Sequence, residues 1–209
     1  MAANVSENQV LNIDNLNKDI EKFPQVHPIT EDMHITHEGV SRMVMLDRYS
    51  FKDTKKETLA VGDLVILTVK ADPLYPARGV GYIKEFVEGT NEVIIAVEED
   101  YLANIEDPEE QNAGLVKRKI DSIDKPLEVY YEQIAKRNAT GLAEVEETEE
   151  KRQQAFEDFN EQLASMNFVP AGRVLYGAGS QTDVTYFNCY VMPFVKDSRE
   201  GISEHRKEV

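Results

Sequence analysis

A single cysteine, Cys189, stands in the 209 residues. That excludes a disulfide closed within the chain and a zinc site built from its cysteines. No apolar run reaches the length of a membrane span, and no charged-then-apolar leader opens the sequence. A soluble, cytoplasmic protein is therefore expected, in keeping with a reducing compartment. Cations are scarce: 23 Lys and Arg stand against 39 Asp and Glu, a formal charge of −16. Nucleic acid is not an expected partner, because phosphate binding needs a basic face and counterion release. His27, His34 and His37 lie close in sequence, but no further ligand stands at a dependable spacing, so no metal is expected and they are read as surface residues. There is no internal repeat. What the chain does have is 41% apolar residues, enough for a core and for one or two domains.

Residues 1–38 are polar, with Pro24 and Pro28 as breakers, and are expected as a flexible arm with one short helix around Val10–Phe23. Residues 39–102 have a different texture. Leu64–Val69, Val80–Ile83 and Val93–Val97 are short apolar runs, separated by Asp72-Pro73, Tyr75-Pro76 and Gly89-Thr90-Asn91 turns. They predict a small β-barrel-like module. Such modules often bind nucleic acid, but only Lys70, Arg78 and Lys84 stand out here as basic, and a structural or protein-contact role is expected instead. Gly79-Val80-Gly81 resembles the start of a phosphate loop but has no third glycine and no following helix.

Residues 103–168 read as an acidic connector and a helical domain. Asp124 is placed to cap a helix with Pro126 in its first turn, and Leu127, Tyr130, Tyr131 and Ile134 recur at helical spacing. The acidic run of Glu144, Glu146, Glu147, Glu149 and Glu150 suits a solvated face at the positive end of a second, longer helix. That helix carries Phe156, Phe159, Leu163 and Met166 at spacings of 3, 4 and 3. Burying all four is worth about 6–12 kcal/mol gross and calls for the two helices to pack together.

From residue 169 onward, Gly172, Gly177 and Gly179 punctuate a loop that leads into a nearly continuous apolar run, Thr185–Met192. Glycine allows tight turns and close approach to a ligand. The run suits a strand buried on both faces, as in a parallel sheet or α/β barrel. Asp197 and Glu200 then stand at capping-box spacing before a final helix.

Pro170-Ala171-Gly172-Arg173, Gly177-Ala178-Gly179-Ser180, Asn188-Cys189-Tyr190-Val191 and Asp197-Ser198-x-x-Gly201-Ile202 together resemble the opening of the catalytic domain of ribonucleotide reductases. The likeness is greatest to the adenosylcobalamin-dependent (class II) enzymes, and Asp47–Asp53 with the β-module extends it to roughly residues 40–209. The resemblance implies an α+β chain. A β-module and a helical domain would lead, over residues 169–209, into the first strand and helix of an incomplete ten-stranded α/β barrel. It implies that Cys189 is one of the thiols that reduce the 2′ carbon of the substrate ribose, with Asn188, Gly172 and Arg173 bordering substrate. In a regular strand, residues 188 and 189 face opposite sides, so Asn188 would act through its backbone or from a bulge.

The implied substrate is a ribonucleoside di- or triphosphate, the implied cofactor adenosylcobalamin, and the implied reductant a thioredoxin-like protein. The family needs two further cysteines and acid and amide residues from later strands. With Cys189 alone, the chain is expected to be an N-terminal part that is inactive without the remaining C-terminal part. Two other readings stay open. One is a large-subunit fragment of a di-metal-dependent reductase. The other is a non-catalytic adaptor in which Cys189 is a small buried hydrophobe.

Overall fold

The computed structural model describes residues 11–56 and 58–208. Asn12 caps the first helix, α1 (Ile13–Ile20), by accepting from the Asn15 amide at 3.0 Å, and its apolar face buries Leu16 and Ile20. The expected flexible arm is thus corrected for residues 11–38, because Val26, Ile29 and Met33 also join the core. Polar hooks fix the segment. Asn17 pairs with both backbone groups of Ile29, and the Glu132 carboxylate accepts from the His34 and Ile35 amides. Residues 1–10 of that expectation lie outside the described residues.

α2 (Gly39–Val44) runs straight into a π-helical turn, Met45–Tyr49. β1 (Lys52–Asp53) follows. Then β2 (Leu64–Lys70), β3 (Ala77–Val87) and β4 (Glu92–Val97) form the expected β-module as an antiparallel meander. The module is larger than the apolar runs alone predict. After α3 (Glu99–Leu102) and α4 (Pro108–Ala113), the sheet gains a fourth antiparallel strand, β5 (Leu115–Lys119), beside β4. Register shifts at Thr68–Lys70 and Ile83–Glu85 mark bulges, which help to curl the sheet into a half-barrel. Gly81 lies inside β3, where a Cβ would overlap the Ala96 carbonyl oxygen. Close strand approach therefore accounts for this glycine.

The helix expected from Asp124 begins later. Asp124 exchanges backbone hydrogen bonds with Ile66, and β6 (Lys125–Pro126) pairs antiparallel with β1. The Asp124 carboxylate is taken by Arg78 at 2.8 Å and Lys56 at 3.2 Å. Its backbone and side chain are both committed elsewhere, so it cannot cap a helix. α5 (Tyr131–Ala143) starts seven residues on, with Gln133 Oε1 accepting from the Val129 and Tyr130 amides.

α6 (Glu149–Ala164) is capped by Thr148 and packs on α5 as expected, through Ala135, Ala139 and Leu163. Of the four apolar residues expected on it only Leu163 is fully buried, and Met166 lies past its end. Phe156 is half-buried, and Phe159 and Met166 are 39% and 42% exposed. The small alanines of α5 admit one large side chain from the facing helix and leave the others at the rim. α7 (Gly172–Gly177) and α8 (Arg199–Glu208) complete the chain. The fold is α+β: a curled four-stranded antiparallel sheet with helices, and one apolar cluster running from Leu16 to Leu175.

Candidate functional site

The glycine-punctuated segment is held by a buried ion pair that periodicity alone does not announce. Glu128 is fully buried and Arg137 is 1% exposed. Arg137 meets the carboxylate in a fork, Nε to Oε1 at 2.7 Å and Nη2 to Oε2 at 3.0 Å. Its remaining hydrogens go to carbonyls: Tyr49 at 3.0 Å, Leu175 at 3.2 Å, Tyr176 at 3.2 Å and Ala178 at 2.8 Å. Arg137 thus ties the C-terminal end of α7 and the turn after it to the end of the π-helical turn. Asn138 adds a hydrogen bond to the Leu175 carbonyl at 3.0 Å. Glu128 Oε2 also accepts from the Phe51 amide at 2.8 Å, and its own carbonyl accepts from Ser50 Oγ at 2.7 Å. Each charge in the pair has a partner, as a buried ion pair requires.

Two glycines let the backbones meet. A Cβ on Gly141 of α5 would overlap the Gly179 amide nitrogen, and one on Gly179 would overlap the Arg137 carbonyl oxygen. Gly179 also has φ of +70°, a left-handed conformation that glycine adopts without strain.

Gly172, expected in a loop, instead opens α7. A Cβ there would lie 3.1 Å from Tyr49 Oη, so its missing side chain lets the tyrosine ring slide under the helix. Arg173 is exposed and makes no side-chain hydrogen bond or ion pair among the described residues. The strand expected over Thr185–Met192 does not form here. The segment is irregular, and Asn188 and Cys189 are exposed. A strand needs a neighbour to take its amides and carbonyls, and no described strand lies beside this one. Local contacts hold it instead: Thr185 Oγ1 bonds Tyr190 Oη at 2.8 Å, and the Phe187 and Tyr190 rings meet edge to face. Val184 and Tyr186 close over Gly177. No hydrogen bond among the described residues joins Asn188 or Cys189 to Gly172 or Arg173. The final helix forms, but its cap is Ser198 and not the expected Asp197: Ser198 Oγ accepts from the Gly201 amide at 3.0 Å.

The histidines also differ from a uniform surface group. His27 is half-buried with Nε2 3.2 Å from Thr140 Oγ1, His37 stacks edge-on against Tyr131, and His34 lies 3.4 Å from Glu132. Among the described residues no cluster of three His, Cys, Asp or Glu could hold a metal ion. No described helix is long and apolar enough to cross a membrane.

Glu128 and Arg137 were not among the residues singled out by sequence; Tyr49 entered only within the Asp47–Asp53 resemblance, and Asn138 only as an expected helix end, whereas α5 runs on to Ala143. One signal for two of them was present. The apolar stripe of Tyr130, Tyr131 and Ile134 continues at i+3 and i+4 with Arg137 and Asn138, polar residues on a buried face. Glu128 precedes the helix and has no such pattern to mark it.

Residues 120–183 match the family model described as ribonucleotide reductase, all-alpha domain. No curated protein and no solved structure matches the chain. The matched span contains the Glu128–Arg137 pair, Asn138, Gly141 and the Gly172–Gly179 segment clamped to them, and over that span the chain is similar to the all-alpha domain of ribonucleotide reductase.

Proposed function

We propose that the chain is the N-terminal part of an adenosylcobalamin-dependent ribonucleotide reductase, with Cys189 as one of two reducing thiols and Gly172, Arg173 and the Asn188 backbone at the substrate edge. The match over residues 120–183 supports the reductase part of this reading, while the cobalamin dependence and the residue roles rest on the resemblance over Pro170–Ile202. It spans a clamp that fixes the substrate-bordering loop. The substrate is a ribonucleoside di- or triphosphate. Its C2′–O bond breaks, water leaves, and a C2′–H bond forms. That reduction takes two electrons and two protons, which a dithiol supplies as it closes to a disulfide. With one cysteine in this chain, the second thiol must come from a remaining C-terminal part, and a thioredoxin-like protein reopens the disulfide.

Adenosylcobalamin supplies the radical that starts the reaction when bound. Cys189 is exposed and among the described residues lines neither the cleft beside β1 nor the apolar groove beside α2; most corrin contacts are assigned to the remaining C-terminal part, and no step here passes through the corrin. What the chain's own residues do is positional. Arg137 holds the carbonyls on either side of Gly177, and Tyr49 supports Gly172.

The test is complementation. The chain alone should form no deoxynucleotide. Joined with the missing C-terminal part, adenosylcobalamin and a dithiol, it should turn over, and Cys189→Ser should abolish dithiol-dependent turnover. Full turnover by Cys189→Ser would remove Cys189 from the chemistry, and turnover by the chain alone would overturn the division of labour.

A further inference from the structure

The chain carries a charge of −16, yet one cleft is lined by Lys52 and Arg137 with no acidic residue beside them. It lies between the π-helical turn, β1 and the turn at Ser180–Thr182, and encloses about 330 Å³. Other clefts differ in kind. The one on the β-module is lined by Glu106, Asp107 and Glu110, and the one between α5 and α6 by Glu144 and Glu149. The groove beside α2 is apolar and has neither Lys nor Arg. The acid-free cleft presents Lys52 and Arg137 together with the hydroxyls of Tyr49, Thr54, Tyr176 and Thr182.

These groups are not equally available. Arg137 is committed to Glu128 and four carbonyls. Lys52 is committed only in part. Its Nζ donates to the Asp47 carbonyl at 2.8 Å and, weakly, to that of Ser50 at 3.5 Å. Among the described residues no carboxylate stands within ion-pair distance of it, whereas Lys56 and Arg118 each have one and Arg78 and Lys125 each have two. Burial pushes the Lys52 pKa down, with Asp47 opposing the shift. The hydroxyls of Thr54, Tyr49 and Tyr176 make no hydrogen bond within the described protein.

We propose that this cleft binds a phosphoryl group, with Lys52 as its charge partner and the Thr54 and Tyr176 hydroxyls as donors. The donor set selects the ligand class. A carboxylate is best met by a planar fork, and the one guanidinium here is already used. A tetrahedral group with several terminal oxygens suits an ammonium acting as a point charge and single donors arriving from separate elements. The volume is at the lower end for small-molecule sites, and the Phe23, Phe51 and Tyr176 rings offer a flank for a group attached to the phosphate. The inference uses charge and geometry alone and does not depend on the reductase reading.

Calorimetric titration of the full chain at low ionic strength tests it, with inorganic phosphate, ADP and sodium acetate as separate probes. Saturable binding of phosphate or ADP is expected, with acetate silent. Lys52→Gln should weaken that binding about tenfold or more. Lys136→Gln, which changes a half-buried lysine outside the cleft, should leave it unchanged. ADP binding tighter than phosphate would assign the cleft to an organic phosphate, and equal affinities to the phosphoryl group alone. If Lys52→Gln does not fold, the double variant of Thr54→Val and Tyr176→Phe, both exposed positions, decides the matter and should weaken binding about fivefold. No saturable binding of phosphate or ADP, or undiminished affinity in the folded variants, would overturn the proposal.

Discussion

The glycine-punctuated segment at 172–180 and the cysteine-bearing segment at 184–195 are neighbours in sequence and opposites in structure. In the first, Leu175, Gly177, Ala178 and Ser180 are buried, and Arg137 and Asn138 take the carbonyls that the end of α7 leaves unpaired. In the second, Val191 and Phe194 are fully exposed, and Phe187 and Tyr190 are 70% and 65% exposed. Large apolar side chains left in water mark surface that awaits a partner. The difference separates what this chain completes by itself from what it offers to something else. The loop's conformation is determined by contacts within the chain. The strand expected around Cys189 is not.

That contrast can be broken most directly at Arg137. Arg137→Ala leaves a fully buried carboxylate without its cation and removes the donor to four carbonyls. A loss of about 3–5 kcal/mol in denaturant-measured stability is expected. Adding Glu128→Gln should recover part of it, because the uncompensated charge disappears while Phe51 keeps an acceptor. A loss below about 1 kcal/mol for Arg137→Ala would mean that the loop is not clamped from α5.

Gly141→Ala should cost about 1–3 kcal/mol, since the new methyl meets the Gly179 backbone, which cannot rotate aside as a side chain could. Amide exchange should quicken across residues 175–180 and stay unchanged in β2–β4. The outer segment should behave in the opposite way. Val191→Ser and Phe194→Ser remove exposed groups and should shift the stability of the isolated chain by no more than about 0.5 kcal/mol. In the complementation assay the same two variants should weaken assembly. Equal assembly with and without them would show that this apolar segment is not a contact surface.

Much of this division was legible in the sequence, and its failures have physical causes. The strands of the β-module follow from their apolar runs because such runs report burial on both faces. β5 did not, because Leu115-Val116-Lys117-Arg118-Lys119 buries only Val116 fully, and its lysines and arginine read as loop. The start of α5 was misplaced because Leu127, Tyr130, Tyr131 and Ile134 fit a helical period. Leu127 is held instead by long-range pairing, since β6 just before it pairs with β1 and its own amide donates to the Phe51 carbonyl, while Tyr130 stands just outside the helix with its amide on Gln133 Oε1. Local periodicity carries no information about such pairings. For the candidate site, the glycines and Cys189 could be named from sequence. The Glu128–Arg137 clamp joins residues that only the fold brings to Tyr49 and the 175–178 carbonyls.

A small, pH-dependent effect lies behind the clamp, at His27. Thr140 Oγ1 already donates to the Lys136 carbonyl at 2.9 Å, so His27 Nε2 is the donor in their 3.2 Å contact. Burial holds the His27 pKa below its usual value. Glu128 opposes the shift, while Lys136 and Arg137 assist it. The folded state therefore takes up the proton less readily than the unfolded chain, whose histidine titrates near pH 6.5. Its contribution to stability is complete above about pH 6.5 and is lost as pH falls toward the lower folded value. Glu98 works in the other direction, because burial raises its pKa despite Arg42, and Asp19 and Asp124 lie lower still. All three are common to the parent chain and to His27→Gln, so they cancel when the two are compared. Between pH 7.5 and 5.5 the parent should lose more stability than the variant, by less than about 1 kcal/mol because the ring is only half-buried. Identical urea midpoints for the two proteins at both pH values would show that His27 is titrating as freely in the folded chain as in the unfolded one.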